Sequence, residues 1–222
     1  IQNNEKVIKE FFKNEDEQVK IDEAYSDKVF NTFIDGYADY IKEENILIAL
    51  EKLNHLKVLC AVREGEHGLY AINKKIENYL VKKKLITLSG DFYINRPVIV
   101  NSNNYESGLF NGDVGIVRPD ANNELKVWFE IKGEAIPFLP ASISNAETVL
   151  VMTIHKSQGS EFEKVMVILP QKEDIKILTR ELLYTAVTRA KKEVIVQASH
   201  QVILQTASES VKRGSGIIQR LV

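Results

Sequence analysis

The most polar stretch of this chain directly follows an apolar segment with the character of a buried strand. HKSQGSEF, at residues 155–162, comes immediately after VLVMTI, at residues 149–154. In an open α/β sheet, ligands bind at the carboxyl ends of the strands. Gly159 would allow a close backbone approach to a ligand, and Glu161 offers an acceptor suited to sugar hydroxyls. A solvated loop whose polar residues only complete turns explains this composition equally well.

The first part of the same stretch carries donors for phosphate or sugar oxygens. Thr153, His155 and Ser157 can make the contacts that position a nucleic acid without reading its sequence, and Lys156 lies among them. The net charge of −2 gives no support for such a partner, because proteins that wrap nucleic acid with lysines are usually basic. The hypothesis therefore depends on these local residues.

Two arginines are candidates for binding a phosphate. Arg63 directly follows the apolar run LKVLCAV, and Arg189 lies near the end of a predicted helix at residues 179–192. A guanidinium can bond a phosphate or a carboxylate through two parallel hydrogen bonds, and an arginine finger offsets charge on a transferred γ-phosphoryl group. Pairing with a nearby glutamate is the commoner fate of a helical arginine. We expect both arginines and the polar loop to converge on one edge of a sheet.

The elements that must position these residues predict an α/β fold with a parallel sheet. An apolar stripe formed by Leu69, Ile72, Ile76, Tyr79 and Leu80 predicts a helix. Helical spacing also recurs at residues 7–12 and 29–40, and EQVKID between them is a candidate short strand. Buried strands are predicted for five apolar runs, at residues 56–62, 96–100, 149–154, 165–169 and 193–198.

The middle of the chain breaks this alternation of strands and helices. Between about residues 101 and 144, short alternating runs are separated by turn residues such as NGD and PDANNE. This pattern predicts a small antiparallel barrel or meander inserted into the main body. One of the two aromatic residues Trp128 and Phe129 is interpreted as a core residue and the other as a surface residue, rather than as base-stacking residues, and the sequence does not say which is which.

Composition and cysteine content indicate an intracellular, cytoplasmic protein. Cys60 is the only cysteine and lies in an apolar run, so we expect a buried thiol and a reducing compartment. No apolar run approaches the roughly 18 to 20 residues of a membrane helix, and the four histidines lack metal-ligand spacing, so neither a membrane nor a metal site is expected.

A phosphate-binding P-loop does not occur in these 222 residues. The pattern G-x-x-x-x-G-K-[ST] is absent, and no Gly-Lys dipeptide occurs anywhere in the sequence. We therefore expect the chain to supply only half of any nucleotide site. The first residue is Ile1, with no initiating Met, which is consistent with a piece of a longer protein.

Several of these stretches resemble known helicase motifs. VMTIHKSQGSEF resembles motif V of superfamily-one helicases, LTRELLYTAVTRA resembles motif VI, and LCAVRE resembles motif IV. NYESGLFNGDVGIV and the closing RGSGI are similar to the RecD family, the alpha subunits of exodeoxyribonuclease V, which are 5′–3′ DNA helicases. The resemblance covers most of the chain from about residue 56, and the first 55 residues more thinly.

The resemblance implies a role for each candidate residue. Arg189 and Arg63 would be catalytic residues that contact the γ-phosphate of ATP. Gln158, Gly159 and Glu161 would lie near the nucleotide. The residues implied to face single-stranded DNA are Thr153, His155, Lys156 and Ser157. ATP would be used with Mg²⁺, whose ligands the resemblance places in a first motor domain.

The resemblance also implies a domain organisation and partners. A RecA-like domain 2A would comprise residues 1–100 and 149–222, with an SH3-like 2B subdomain inserted at residues 101–148. Partners would be single- and double-stranded DNA and the beta and gamma subunits of exodeoxyribonuclease V, in double-strand break repair and recombination. By itself the chain would be inactive. Two alternatives stay open, namely a non-enzymatic nucleic-acid or protein binding module and a free-standing RecD-like helicase.

Overall fold

Two five-stranded sheets organise the part of the chain that the structure describes. The structure is a computed structural model, and it describes residues 18–105, 108–143, 146–171 and 175–210. The predicted helix at residues 7–12 and the closing RGSGI lie outside the described residues. The strands in chain order are β1 Val19–Asp22, β2 Leu56–Cys60, β3 Pro97–Val100, β4 Val114–Pro119, β5 Leu125–Ile131, β6 Glu134–Phe138, β7 Ala146–Thr148, β8 Val151–Thr153, β9 Phe162–Ile168 and β10 Ala190–Gln197.

The first sheet is entirely parallel, as the sequence predicts. Its strand order is β1-β10-β9-β2-β8, so β2 has β9 on one side and β8 on the other. All residues of β2 are buried, because helices cover both faces of the sheet. EQVKID supplies the edge strand β1, which confirms the expected short strand.

Six described helices pack on this parallel sheet or join its strands. In chain order they are α1 Asp27–Ile34, α2 Ala38–Ile41, α3 Ile46–Leu53, α4 Leu69–Lys82, α5 Arg180–Val187 and α6 His200–Ser208. Short side chains at Ser26, Asn45, Thr179 and Ser199 cap the first turns of α1, α3, α5 and α6. Within the described residues, no helix combines the length and apolar character needed to cross a membrane.

The two faces of the parallel sheet form separate cores. Val58 and Cys60 of β2 pack with α1, α3 and α4, whereas Leu59 packs on the other face with α5 and α6. This alternation follows from the two-residue period of a strand. Cys60 is buried and free as predicted, and burial raises the pKa of its thiol to about 12.

The second sheet is antiparallel and lies in the inserted region. Its strand order is β6-β5-β4-β3-β7. Phe129 is buried in its core. Trp128 is half-buried and donates its Nε1–H to the Arg118 carbonyl at 3.1 Å, so it is only partly a surface residue. The described pairings leave β6 and β7 at the edges, and closure into an SH3-like barrel stays a prediction.

The strand predicted at residues 96–100 belongs to the antiparallel sheet, so its predicted place in the parallel sheet is wrong. β3 pairs antiparallel with β4 and β7 rather than joining the parallel sheet. Val98 and Val100 pack into the core of the second sheet, while Ile99 packs into a core of the first sheet. Because β3 is buried on both sides, it has the continuous apolar character of a parallel strand. The second sheet therefore begins near residue 97 rather than 101.

The predicted helix at residues 179–192 is also too long. α5 ends at Val187, and β10 begins at Ala190, which pairs with Phe162. Arg189 therefore lies in the short turn between a helix and the amino end of a strand.

Arg118 in β4 joins the second sheet to the first. Its guanidinium donates to the carbonyl oxygens of Tyr40 at 2.9 Å, Ile41 at 3.3 Å and Glu43 at 2.8 Å. These carbonyls lie at the end of α2, where the helix leaves acceptors unpaired and where a cation is favoured. The contact fixes one side of the antiparallel sheet against the helical layer.

Lys57 is a buried ammonium group in the centre of the parallel sheet. Its side chain is 1% exposed and donates to the Val149 carbonyl at 3.1 Å, and its Nζ lies 5.6 Å from the centre of the Phe162 ring. Burial lowers the pKa of Lys57 from 10.5 to about 7, because the charged form is desolvated.

Lys57→Met is expected to change how stability depends on pH. Above about pH 7 the unfolded chain binds a proton at this position that the folded chain does not, so the stability of the wild type should rise with pH by up to about 1.4 kcal/mol per unit. The substitution removes this rise, and chemical denaturation between about pH 7 and pH 9 measures it. Exposed Lys192→Met is the matched control. Identical slopes in wild type and Lys57→Met would contradict the assignment.

Candidate functional site

The loop at residues 154–161 runs along the parallel strands, from their carboxyl ends to their amino ends. We call these two sides of the sheet the carboxyl edge and the amino edge. β8 ends level with the carboxyl end of β2, where Thr153 pairs with Cys60. β9 begins two residues before Lys164, which pairs with Leu56 at the amino end of β2. The six steps from Phe162 to Ile168 correspond to about 20 Å at the rise of a strand. We call residues 154–161 the crossing loop.

The end of the crossing loop meets Arg189 at the amino edge of the sheet. The guanidinium donates to the Ser160 carbonyl at 3.0 Å, the Thr185 carbonyl at 3.1 Å and the Thr188 hydroxyl at 3.3 Å. The Arg189 carbonyl accepts from the amide of Phe162 at 2.8 Å. Both the side chain and the backbone of Arg189 are therefore held against the same segment.

The acceptors of Arg189 are all uncharged. Within the described ranges, Arg189 forms no ion pair with a carboxylate, and the nearby Glu161 instead pairs with Lys191 at 3.3 Å. Pairing with a nearby glutamate, which is the commoner arrangement for a helical arginine, is thus not observed for Arg189. Three hydrogen bonds fix the orientation of the guanidinium without neutralising its charge.

Gln158, Gly159 and Glu161 are exposed in the part of the crossing loop that includes Ser160. Gly159 has a φ of +87°, which lies in the left-handed region that disfavours a side chain. A Cβ atom at Gly159 would meet nothing within 4 Å, so the backbone conformation and not crowding explains the glycine. All three residues lie within two positions of Ser160, whose carbonyl accepts from Arg189, and their placement near a nucleotide stays a prediction.

The other end of the crossing loop lies at the carboxyl edge of the sheet. His155 is exposed, and Lys156 donates from Nζ to Oδ1 of Asn101 in the second sheet's first loop. Thr153 accepts the Lys156 amide through its hydroxyl at 3.3 Å. Three of the predicted nucleic-acid contacts, Thr153, His155 and Lys156, are therefore grouped here.

Ser157 is an exception among the predicted nucleic-acid contacts. Its side chain is 0% exposed and its hydroxyl donates to the Ile154 carbonyl at 2.8 Å. The turn that starts the crossing loop directs Ser157 inward, where its hydroxyl satisfies a backbone acceptor. The prediction that Ser157 faces DNA is therefore wrong for the structure as described.

Arg63 lies at the carboxyl edge and is paired with an acid. Its guanidinium contacts Glu147 of β7 at 2.5 Å and the Tyr70 hydroxyl at 2.5 Å, and it lies over the Tyr70 ring at 5.1 Å. Partial burial lowers the pKa of Lys156, an effect that Glu147 opposes and Arg63 reinforces. These three charges thus interact at the junction of the two sheets.

The predicted convergence of the two arginines is wrong. Arg63 follows the carboxyl end of β2, whereas Arg189 precedes the amino end of β10, and all strands of this sheet run in the same direction. The two positions are separated along the strands by about 20 Å. Arg63 and Arg189 therefore do not reach the same phosphate.

Several residues at the carboxyl edge were not found from the sequence. Glu147, Tyr70 and Asn101 acquire their roles through partners that lie 84, 7 and 55 positions away along the chain. No local pattern marks them. A cavity of about 730 Å³ also lies at this edge, lined by residues 62–67 together with Pro170, Gln171 and Ile175. Within the described part of the chain, no group of three or more His, Cys, Asp or Glu side chains has a metal-binding arrangement.

Comparison with known proteins agrees with the motif assignments. Residues 148–197 match the UvrD-like helicase C-terminal domain. The RecBCD enzyme subunit RecD of Mycolicibacterium smegmatis is 38% identical over 175 residues, covering 78% of this chain and 30% of that protein. The subunit of the same name from Buchnera aphidicola subsp. Schizaphis graminum is 32% identical over 217 residues, covering 90% of this chain and 36% of that protein.

The resemblance to the RecD family is confirmed. This RecD-like chain spans about a third of the length of the two relatives. Among solved structures, the Pif1 helicase from Bacteroides in complex with ADP-AlF3 and ssDNA is 16% identical with a TM-score of 0.46, and the match covers 84% of this chain and 52% of that one.

Ser157→Ala tests the inward placement of Ser157 in this RecD-like chain. The substitution removes one buried hydrogen bond, so we expect a loss of about 1 kcal/mol in the free energy of unfolding, measured by chemical denaturation. Exposed His155→Ala is the matched control, with an expected change within about 0.5 kcal/mol. A neutral Ser157→Ala together with a destabilising His155→Ala would reverse the assignment of the two side chains.

Proposed function

We propose that this chain is the second motor domain of an ATP-dependent 5′–3′ DNA helicase, the RecD alpha subunit of exodeoxyribonuclease V. The similarity to two proteins named as RecBCD subunits supports this proposal. The match of residues 148–197 to a helicase C-terminal domain supports it independently of those names. Since the chain contains no P-loop, we propose that it does not hydrolyse ATP alone.

The observation that carries the proposal is that Arg189 has only uncharged acceptors among the described residues. Its guanidinium is oriented by neutral oxygens, pairs with no described carboxylate and lies beside the exposed backbone of Gly159. A phosphate that replaces one of these neutral acceptors would form a stronger, charge-assisted hydrogen bond. The Arg63 guanidinium, by contrast, is already paired with the Glu147 carboxylate, which neutralises its charge. The γ-phosphate contact is therefore proposed for Arg189 alone.

The remaining residues of the amino edge fit the rest of a nucleotide. The left-handed backbone at Gly159 leaves room for phosphate oxygens, and Gln158 offers an amide donor. Glu161 is exposed, and within the described residues its carboxylate has a surface ion pair with Lys191, so it is available to accept from a ribose hydroxyl. ATP supplies the transferable phosphoryl group, with its Mg²⁺ ligands proposed to lie in a first motor domain.

The crossing loop links this edge to the proposed DNA contacts. The Arg189 carbonyl is bonded to the Phe162 amide, and the Arg189 side chain is bonded to the Ser160 carbonyl. A movement of Arg189 towards a phosphate therefore shifts the end of the crossing loop. The other end of the loop carries Lys156 and His155. In this proposal, nucleotide binding at one edge alters the grip on a single strand at the other.

The proposed partners are single- and double-stranded DNA and the beta and gamma subunits of exodeoxyribonuclease V, in double-strand break repair and recombination. The word subunit in the names of the relatives supports an assembly of this kind. Arg63 is proposed to position the second sheet through Glu147 and not to act in catalysis.

Arg189→Lys tests the assignment in the full-length protein. The lysine keeps the charge but loses the two-pronged hydrogen bonding, so we expect DNA-stimulated ATP hydrolysis to fall by about 10³-fold, with binding to a single strand largely intact. Arg63→Lys is the matched control at the opposite edge, and it should lower the rate far less. If Arg189→Lys hydrolysed ATP normally, or if the two variants were equally impaired, the assignment to Arg189 would be wrong.

A further inference from the structure

The loop between β3 and β4 carries two exposed aromatic side chains that the proposed function does not use. Tyr105 is 79% exposed and Phe110 is 48% exposed. Their ring centres are 6.1 Å apart and the ring planes meet at 80°, so the pair is edge-to-face. The two rings thus form an exposed aromatic pair, whereas apolar side chains scattered singly over a surface need no explanation.

The base of this loop is built as a hairpin. The amide of Gly112 donates to the Val100 carbonyl at 2.9 Å, and Asn104 and Leu109 exchange backbone hydrogen bonds of 2.7 and 3.2 Å. Leu109 is buried in the core of the second sheet and anchors the structure. The aromatic residues are therefore attached to an ordered hairpin base.

Side-chain contacts also fix the position of the two rings. Asn103 accepts the Asn111 amide at 2.9 Å through Oδ1, and its Nδ2 donates to the Tyr105 hydroxyl at 3.4 Å. The Phe110 amide donates to the Asp113 carboxylate at 2.7 Å. The Phe110 ring supports Tyr105 from one side, which leaves most of the Tyr105 ring exposed.

The hairpin begins beside the proposed DNA contacts. Asn101 accepts from Nζ of Lys156 in the crossing loop, and His155 next to it is exposed. Tyr105 is four positions after Asn101, a distance of at most about 14 Å even for a fully extended chain. The aromatic pair and the carboxyl edge therefore lie close enough to contact one short stretch of a single ligand.

We propose that Tyr105, supported by Phe110, is a stacking site for a base of the single-stranded DNA that passes the carboxyl edge. Aromatic rings stack on the face of any base, and base faces are free in a single strand but covered in a duplex. The Lys156 ammonium is placed to contact the backbone of the same strand. This inference rests on the proposed function, because it requires that a single strand reaches this edge.

Tyr105 and Phe110 are more exposed than Trp128 and Phe129 of the second sheet. Trp128 is half-buried with its ring nitrogen bonded to a carbonyl, and Phe129 is buried. Leu139 is 58% exposed on the same sheet but has no aromatic face. Leu139 therefore serves as a control for the loss of an exposed apolar side chain.

The test measures binding of the full-length protein to two labelled strands by fluorescence anisotropy. One probe is a single-stranded oligodeoxythymidine, and the other is the same strand with abasic sites in place of the bases. Tyr105→Ala should bind the oligodeoxythymidine about tenfold to a hundredfold more weakly, the range of one lost stacking contact. Its affinity for the abasic strand should equal that of the wild type. Tyr105→Phe should restore binding, and Leu139→Ala should bind both strands normally.

The other possible results show whether the stacking site alone or the proposed function as well is wrong. Wild-type protein that binds neither strand would overturn the proposed function as well. Normal binding of both strands by Tyr105→Ala would overturn the stacking site alone, as would an equal loss on both strands, which indicates an effect on folding or charge. If Tyr105→Ala bound DNA normally but lost association with the other subunits, the aromatic pair would be a protein interface.

Discussion

The parallel pairing of β2 with both β8 and β9 is the constraint on which the rest of the structure depends. Two parallel strands on either side of a third cannot be joined at one edge, so the connection must traverse the sheet. Here a loop of only eight residues does so, without an intervening helix. The connection consequently touches Arg189 at one end and carries Lys156 at the other. The eight residues of the crossing loop thus connect the amino edge of the sheet directly to its carboxyl edge.

The second sheet is held to this frame by contacts of three kinds. Arg118 bonds the carbonyls at the end of α2, Arg63 pairs with Glu147 of β7, and Lys156 bonds Asn101 at the end of β3. The second and third of these contacts lie at the carboxyl edge. The hairpin that carries Tyr105 is therefore fixed relative to the crossing loop by polar contacts on both of its flanks.

Much of the fold follows from local sequence, but the assignment of strands to sheets does not. The buried strand β2 and the stripe of α4 are evident because strand and helix periods are local properties. β3 was misassigned because burial on both faces gives the same apolar run in either sheet. The end of α5 was missed because pairing of Ala190 with Phe162 takes precedence over helical propensity.

The candidate site was predictable in composition and not in arrangement. Arg189 bonds Ser160 and so contacts the end of the crossing loop, within the segment of residues 158–161. This contact lies at the amino ends of β9 and β10, whereas the sequence placed the polar loop at the carboxyl end of a strand. Arg63 and Arg189 are separated because Arg63 follows one parallel strand and Arg189 directly precedes another. The second fact was missed because the predicted helix extended beyond Arg189. The inward orientation of Ser157 is set by one turn, and the pairing of Arg63 depends on an acid 84 residues away.

The position of Glu147 has a consequence for how a polyanion is held at the carboxyl edge. Its carboxylate lies against Arg63 and influences Lys156, so part of the positive charge there is already compensated. A strand bound at this edge would displace fewer condensed counterions than the number of basic residues suggests, and its affinity would vary less steeply with ionic strength. A polyanion bound at this edge would therefore be released more readily than the number of basic residues suggests.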